Sequence, residues 1–299
     1  MKNKILIILI VLVALGAGGL LVYKNFLGPK GVSELTPSPT PTVNQTTHGR
    51  IRQNEIWREK IRIVGDIIVE KGVTLTIEPG TKVLIAANQD VENLKTEPAI
   101  DFRWGINTGK DIDGVHTGEP YRDEKNHISI LIFGTLNAVG TPDQMITITS
   151  DSSKPGIYDW NSLEFRNGIL SYALVEYYRH FDPRDGTIVS NNILRKVGEC
   201  AVCANSSVVV ENNTISDAGH ELVDIHNSSP TIRNNYLGPN INRSCITIDG
   251  GSPAITGNTI KGCGSGLSLL VPPKDPSLED NILKNNKFLN NGQNVWYGY

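Results

Sequence analysis

Asp182, Arg184 and Asp185 fall in residues 177–186, a stretch that also holds Arg179 and His180. A carboxylate in such company can act as a general base or a Ca²⁺ ligand, and an arginine can neutralise an acidic group on a substrate. These three are one catalytic candidate set, with Arg179 and His180 as ligand contacts. A solvated turn after a strand is the plain alternative. A second set comes from alternation: Val223-Asp224-Ile225-His226 and Ile246-Thr247-Ile248-Asp249 place apolar and polar residues in turn. In strands, the apolar members face inward and Asp224, His226, Thr247 and Asp249 share the outer face. There Asp224, His226 and Asp249 can form an acid/base or metal constellation, with His220 and Glu221 just before it. Polar residues on an outer sheet face are also ordinary.

Two further features carry weaker chemistry. Residues 88–127 interrupt the strand-like pattern and hold Phe102, Trp104 and Tyr121, whose rings can stack on a ligand or simply cover the fold. In the same stretch Asp111-Ile112-Asp113-Gly114 starts like a calcium loop, but the twelfth position is Arg122 where a glutamate is needed. Cys200-Ala201-Val202-Cys203 looks like half of a zinc or redox site, with Cys245 and Cys263 further on. Buried thiols or disulfides fit a turn-rich coil better, and the pairing of the four is not assignable from sequence.

The elements that must position these residues are visible as an internal repeat. Residues 187–194, 208–215, 230–237, 253–260 and 276–283 superpose without gaps, and a shared asparagine falls at 192, 213, 235, 258 and 281. Intervals of 21 to 23 residues, short apolar alternation and Gly/Asn/Ser turns predict stacked coils of short parallel strands rather than helices. A leucine-rich repeat has a similar period but requires a leucine framework that is missing here. The recurrent asparagine is expected at a turn, in left-handed geometry and bonded along a ladder of like residues.

With these coils, the entry region 72–83, and the segments 134–142, 146–150, 160–165 and 174–177, the sequence resembles the right-handed parallel β-helix proteins of the pectate-lyase-like superfamily. The likeness is to their membrane-anchored bacterial and archaeal surface types and covers roughly residues 61–299. It implies a polymer-binding groove along one sheet, bordered by loops that interrupt the coils. Function is less constrained, because the superfamily includes lyases, hydrolases, epimerases and proteins without catalysis. A polygalacturonase-like enzyme would show paired aspartates, Gly-His-Gly and Arg-x-Lys on successive coils. Gly219-His220-Glu221 is the nearest approach, so hydrolysis is disfavoured.

The N-terminus reads as a targeting segment. A basic start, Lys2 and Lys4, precedes residues 5–23, which are uncharged and long enough to cross a bilayer as a helix. Gly16-Ala17-Gly18-Gly19 offers small residues for cleavage, yet Leu20-Leu21-Val22 continues the apolar run, so an uncleaved anchor is expected. Residues 28–47, with alternating prolines at 37, 39 and 41, form an extended linker. The expected layout is therefore 1–27 anchor, 28–47 Pro/Thr-rich linker and 48–299 right-handed parallel β-helix, an all-β domain outside the membrane at the cell surface. A net charge of −3 with scattered Lys and Arg gives no footprint for nucleic acid. The expected partners are the membrane and a glycan or other envelope polymer, bound without turnover. A lyase or epimerase acting on a uronate-containing glycan, and a passive scaffold or adhesin, are the alternatives. No resident cofactor or metal site is assigned; Ca²⁺ would enter only with a lyase.

Overall fold

The computed structural model describes residues 45–92, 94 and 126–299. The segments read as anchor, most of the linker, and Phe102, Trp104, Asp111, Asp113, His116 and Tyr121 lie outside the described residues. Among the described residues no helix is long and apolar enough to cross a membrane.

The described chain winds as a parallel β-helix of three faces. One face stacks Glu55–Trp57, Thr74–Ile77, Thr135–Val139, Gly168–Ser171, Ile188–Ser190, Val209–Glu211, Thr231–Arg233 and Ala254–Thr256. The second runs from the start of Lys60–Val69 through Lys82–Ile85, Ile146–Ser150, Ala173–Glu176, Ile193–Val197, Thr214–Ala218, Tyr236–Leu237 and Thr259–Lys261 to Lys287–Leu289. The third takes the end of Lys60–Val69, then Ser129–Ile132, Trp160–Phe165 and Tyr178–Pro183, and continues with Val202–Cys203, Val223–Ser228, Asn240–Gly251, Cys263–Leu269 and Gln293–Tyr297. Each coil visits the faces in that order, and strands pair in parallel with the equivalent strands one coil away, except on the third face, where Tyr178–Pro183 and Val202–Cys203 end separate hydrogen-bonded sheets. The first strand, Gln45–Ile51, lies over Lys60–Val69 and begins inside the stretch read as linker.

Alternation builds the core. Trp57, Ile77, Ala138, Leu170, Val189, Val210, Ile232 and Ile255 stack inside the first face, while Val83, Ile148, Val175, Leu194, Ile215, Leu237 and Ile260 stack inside the second. Burying one side chain in two along every coil supplies the apolar area that stabilises the solenoid.

The corner between the first and second faces divides the asparagine's expected duties between two residues. Asn191, Asn212 and Asn234 carry the left-handed backbone, at φ +58°, +56° and +56°, and Gly257 does so at +69°. The following residues, Asn192, Asn213, Asn235 and Asn258, are buried and form the ladder, each Nδ2 donating to the next Oδ1 at 3.1, 3.0, 2.9 and 2.8 Å, the last to Asn286. Each Oδ1 also accepts the main-chain N–H of the residue above, as Asn235 Oδ1 does from Asn213 at 2.9 Å.

The fifth repeat is corrected. Residues 276–283 are not a coil strand, and Asn281 is not on the ladder; Leu278–Asn285 is an α-helix and Asn286 takes the fifth place. Leu278 and Ile282, four apart, bury on one helical face, with Glu279 and Asp280 in the first turn and Lys284 in the last, where the helix dipole favours them. Residues 278–285 thus hold an amphipathic helix where a coil strand was expected.

All four cysteines are in disulfides, Cys200–Cys203 and Cys245–Cys263, so neither the zinc nor the free-thiol reading of the Cys-x-x-Cys describes this structure.

Candidate functional site

The third face carries a column of outward residues in register. Ile68, Leu131, Glu164 and Asp182 lie side by side on successive strands, and further along Cys203, Asp224, Thr247, Ser268 and Trp296 do the same. At the start of this column Ile68 and Leu131 are covered by Leu94 and Phe133, and the Arg166 guanidinium sits 4.9 Å over the Phe133 ring. Leu94 belongs to the interruption between Lys82–Ile85 and Ser129–Ile132. The ends of that insertion are tied together, with His127 Nε2 3.0 Å from Asn88 Oδ1. Its root therefore rests on the same face, immediately ahead of the first ionisable residues.

Those residues form an acidic cluster. Asp182 is the register partner of Glu164, and His180 that of Ser162. Arg184 Nη2 donates to Asp182 Oδ2 at 2.9 Å and stands 3.6 Å from Glu164 Oε2. Oδ1 of Asp182 is buried with no hydrogen-bond partner among the described residues. Burial, reinforced by the neighbouring Glu164 carboxylate, raises Asp182 to about 8 despite Arg184. Glu164 is likewise raised by burial. His180 is lowered to about 4, first by burial and then by Arg179, so its ring is neutral near pH 7. Arg179 Nε donates to Glu199 Oε1 at 2.7 Å, which commits that guanidinium to a neighbouring coil.

The structure also brings Asp224, His226 and Asp249 together. Val223, Ile225, Ile246, Ile248, Leu267 and Leu269 face the core, while Asp224 pairs with Thr247 and His226 with Asp249 on the outside. His226 Nε2 lies 2.9 Å from Asp224 Oδ2, and its Nδ1 lies 3.0 Å from Asp249 Oδ2. Two ionised carboxylates accept only, so the ring meets both as a doubly protonated imidazolium. The hydrogen bond to Asp224 raises His226 most, to about 9, with Asp249 adding to it. Burial raises Asp224. The two clusters are electrostatically continuous, since the Asp224 charge also raises Asp182. Nearby, His220 Nδ1 is 2.5 Å from Glu221 Oε2; burial opposes the charged ring, but Glu221 outweighs it and the ring is raised.

One sequence reading is corrected and one residue is separated from its set. Residues 178–183 are a strand of the third face rather than a solvated turn, which is why Asp182 is buried. Asp185 stands apart from the cluster: its Oδ1 accepts the Ser207 N–H at 2.6 Å, a turn-holding role. Sequence reasoning missed Glu164 and Trp296. Once residues 160–165 are aligned with 178–183, Glu164 falls two residues after Ser162, as Asp182 follows His180. Trp296 is the outward residue of the last strand, exposed at 43% and in register with Ser268.

Residues 180–298 match the family described as right handed beta helix region. No curated protein and no solved structure matches the chain significantly. The three faces of parallel strands and this match define a right-handed β-helix repeat protein.

Proposed function

We propose that the protein is tethered to a membrane by residues 1–27, displays its β-helix outside, and binds a polysaccharide or other envelope polymer along the third face. One observation carries the reading: a single register column unites Asp224, Thr247, Ser268 and the exposed Trp296, with Glu164 and Asp182 farther along the same face. The partly exposed carboxylates of Asp224 and Asp249 and the His226 imidazolium, on neighbouring strands about 4.8 Å apart, suit the closely spaced hydroxyls of a sugar chain, and an indole face stacks on a sugar ring. Leu94, at the described edge of the interruption, packs on Ile68 and Leu131 at the start of the column.

A glycan array probed with the full-length chain in detergent tests the binding. Retention of at least one polysaccharide, weakened by Trp296→Ala and by His226→Ala, is the expected result. An array without retained glycan rejects it. For the tether, the chain should remain in the membrane fraction through an alkaline wash, and a mature N-terminus near residue 20 would contradict that.

A second reading, turnover by a lyase or epimerase, is favoured by Asp182. A carboxyl protonated near neutral pH, beside a second carboxyl and Arg184, is equipped to give or take a proton. Growth of ultraviolet absorbance from an unsaturated uronate, abolished by Asp182→Asn, would replace the binding reading with this one.

A further inference from the structure

We infer that Glu164, His180 and Asp182 form a binding site for one divalent first-row metal ion such as Zn²⁺ or Mn²⁺. Each residue offers one ligand atom, and the three atoms lie within 4.8 Å of one another, a triangle that a single ion can span. The site stands on two adjacent strands, since Asp182 is the register partner of Glu164 and His180 lies two residues before it. Rigid sheet backbone, rather than a loop, therefore sets the spacing.

A second observation points to a missing ligand. Asp182 is 3% exposed, and its Oδ1 has no hydrogen-bond partner among the described residues. Arg184 occupies the other oxygen, Oδ2, at 2.9 Å and reaches toward Glu164 Oε2 at 3.6 Å. Its guanidinium orients the carboxylates without meeting Oδ1. The hydroxyl of Ser162, the register partner of His180, is also buried without a hydrogen bond among the described residues. A buried carboxylate oxygen left unsatisfied is costly unless something binds there.

The donor set selects the kind of ion. One imidazole and two carboxylates suit Zn²⁺ or Mn²⁺, whereas Ca²⁺ and Mg²⁺ take oxygen donors and gain nothing from an imidazole. Every thiol of the chain is held in a disulfide, so sulfur takes no part. Glu164 and His180 are partly rather than fully buried, with 14% of each side chain exposed.

The full-length chain, stripped with chelator and titrated with Co²⁺ alone, tests the site. The expected result is uptake of one equivalent with a visible d–d spectrum and displacement by Zn²⁺. His180→Ala and Asp182→Asn should each weaken uptake by more than about tenfold, the size already produced by losing an outer-shell partner of a metal site. His48→Ala, on the remote first strand, should leave it unchanged. Absence of stoichiometric uptake by the unaltered chain, uptake indifferent to His180→Ala, or uptake lost in His48→Ala would each overturn the assignment. If the variants do not fold, X-ray absorption at the zinc edge of the unaltered, Zn²⁺-loaded chain decides. One imidazole with oxygen neighbours supports the site; a shell without imidazole refutes it.

Discussion

His226 and Asp249 are register partners on consecutive coils, and Nδ1 of the ring lies 3.0 Å from Oδ2 of the carboxylate. With Asp224 at the other nitrogen, a cation is held between two acids on a partly exposed face. The folded-state pKa, about 9, stands above the usual 6.5. The stabilisation is therefore complete below pH 6.5 and is lost as the pH rises through 9. Solvent contact and salt reduce its size. Thermal midpoints should fall between pH 6.5 and 9 in the unaltered chain, and His226→Gln should flatten that part of the profile. An identical decline in both proteins would remove His226 as its cause.

Asp182 adds a fall at lower pH. Its pKa rises from 3.8 to about 8 on folding, so the folded state keeps a proton that the unfolded chain has lost. Stability is greatest below pH 3.8 and declines until the carboxyl ionises near pH 8. Asp182→Asn removes that decline. At pH 8 the variant should be more stable than the unaltered chain, by on the order of a few kcal/mol at about 1.4 kcal/mol per pKa unit, and the difference should vanish near pH 4. Urea unfolding at the two pH values measures it. A variant less stable at pH 8 would mean that the ionised carboxylate is the form the fold requires.

The asparagine ladder predicts unequal effects at adjacent positions. Asn235 Oδ1 accepts both the main-chain N–H and the Nδ2 of Asn213, while its own Nδ2 donates to Val210 O and Asn258 Oδ1. Asn235→Leu strands several of these buried groups, at about 1–3 kcal/mol for each, and should cost about 3 kcal/mol or more. Asn234→Gly keeps a left-handed backbone that glycine adopts freely and should change stability little. Equal losses in urea would show that the corner, rather than the ladder, holds the coils.

The fold and half of the site were legible in the sequence for identifiable reasons. A period of 21 to 23 residues with inward Val223, Ile225, Ile246 and Ile248 forces a register, and that register places Asp224 and Asp249 on either side of His226. The acidic cluster was half hidden. Residues 177–186 are dense in charge, which reads as a solvated turn, yet Phe181 stacks on Phe165 at 5.8 Å and Trp160 packs tilted against Tyr178 at 5.5 Å, and these inner contacts hold the segment as a strand. Glu164 then arrives beside Asp182 from 18 residues away by coil stacking, a distance unlike the repeat interval farther on. Asn281 misled because Asp280-Asn281 reproduces the local pattern of the ladder, whereas the spacing of Leu278 and Ile282 belongs to a helix.

The register itself predicts opposite outcomes for neighbouring residues. Ile248 lies inside the solenoid between Ile225 and Leu269, while Asp249 lies outside against His226. Ile248→Asp buries a carboxylate among apolar side chains and should cost several kcal/mol, a large share of a domain's roughly 5–15 kcal/mol. Asp249→Asn keeps the size of the side chain and an oxygen acceptor for Nδ1, so its melting temperature should stay close to that of the unaltered chain. Each coil touches chiefly its neighbours, so the damage from Ile248→Asp should concentrate near its own coil. Amide hydrogen exchange should show protection lost first in Val223–Ser228, Asn240–Gly251 and Cys263–Leu269, with Thr74–Ile77 retained longest. If Asp249→Asn unfolds the protein and Ile248→Asp does not, the inward and outward positions are exchanged, and the shared face of Asp224, His226 and Asp249 is lost with them.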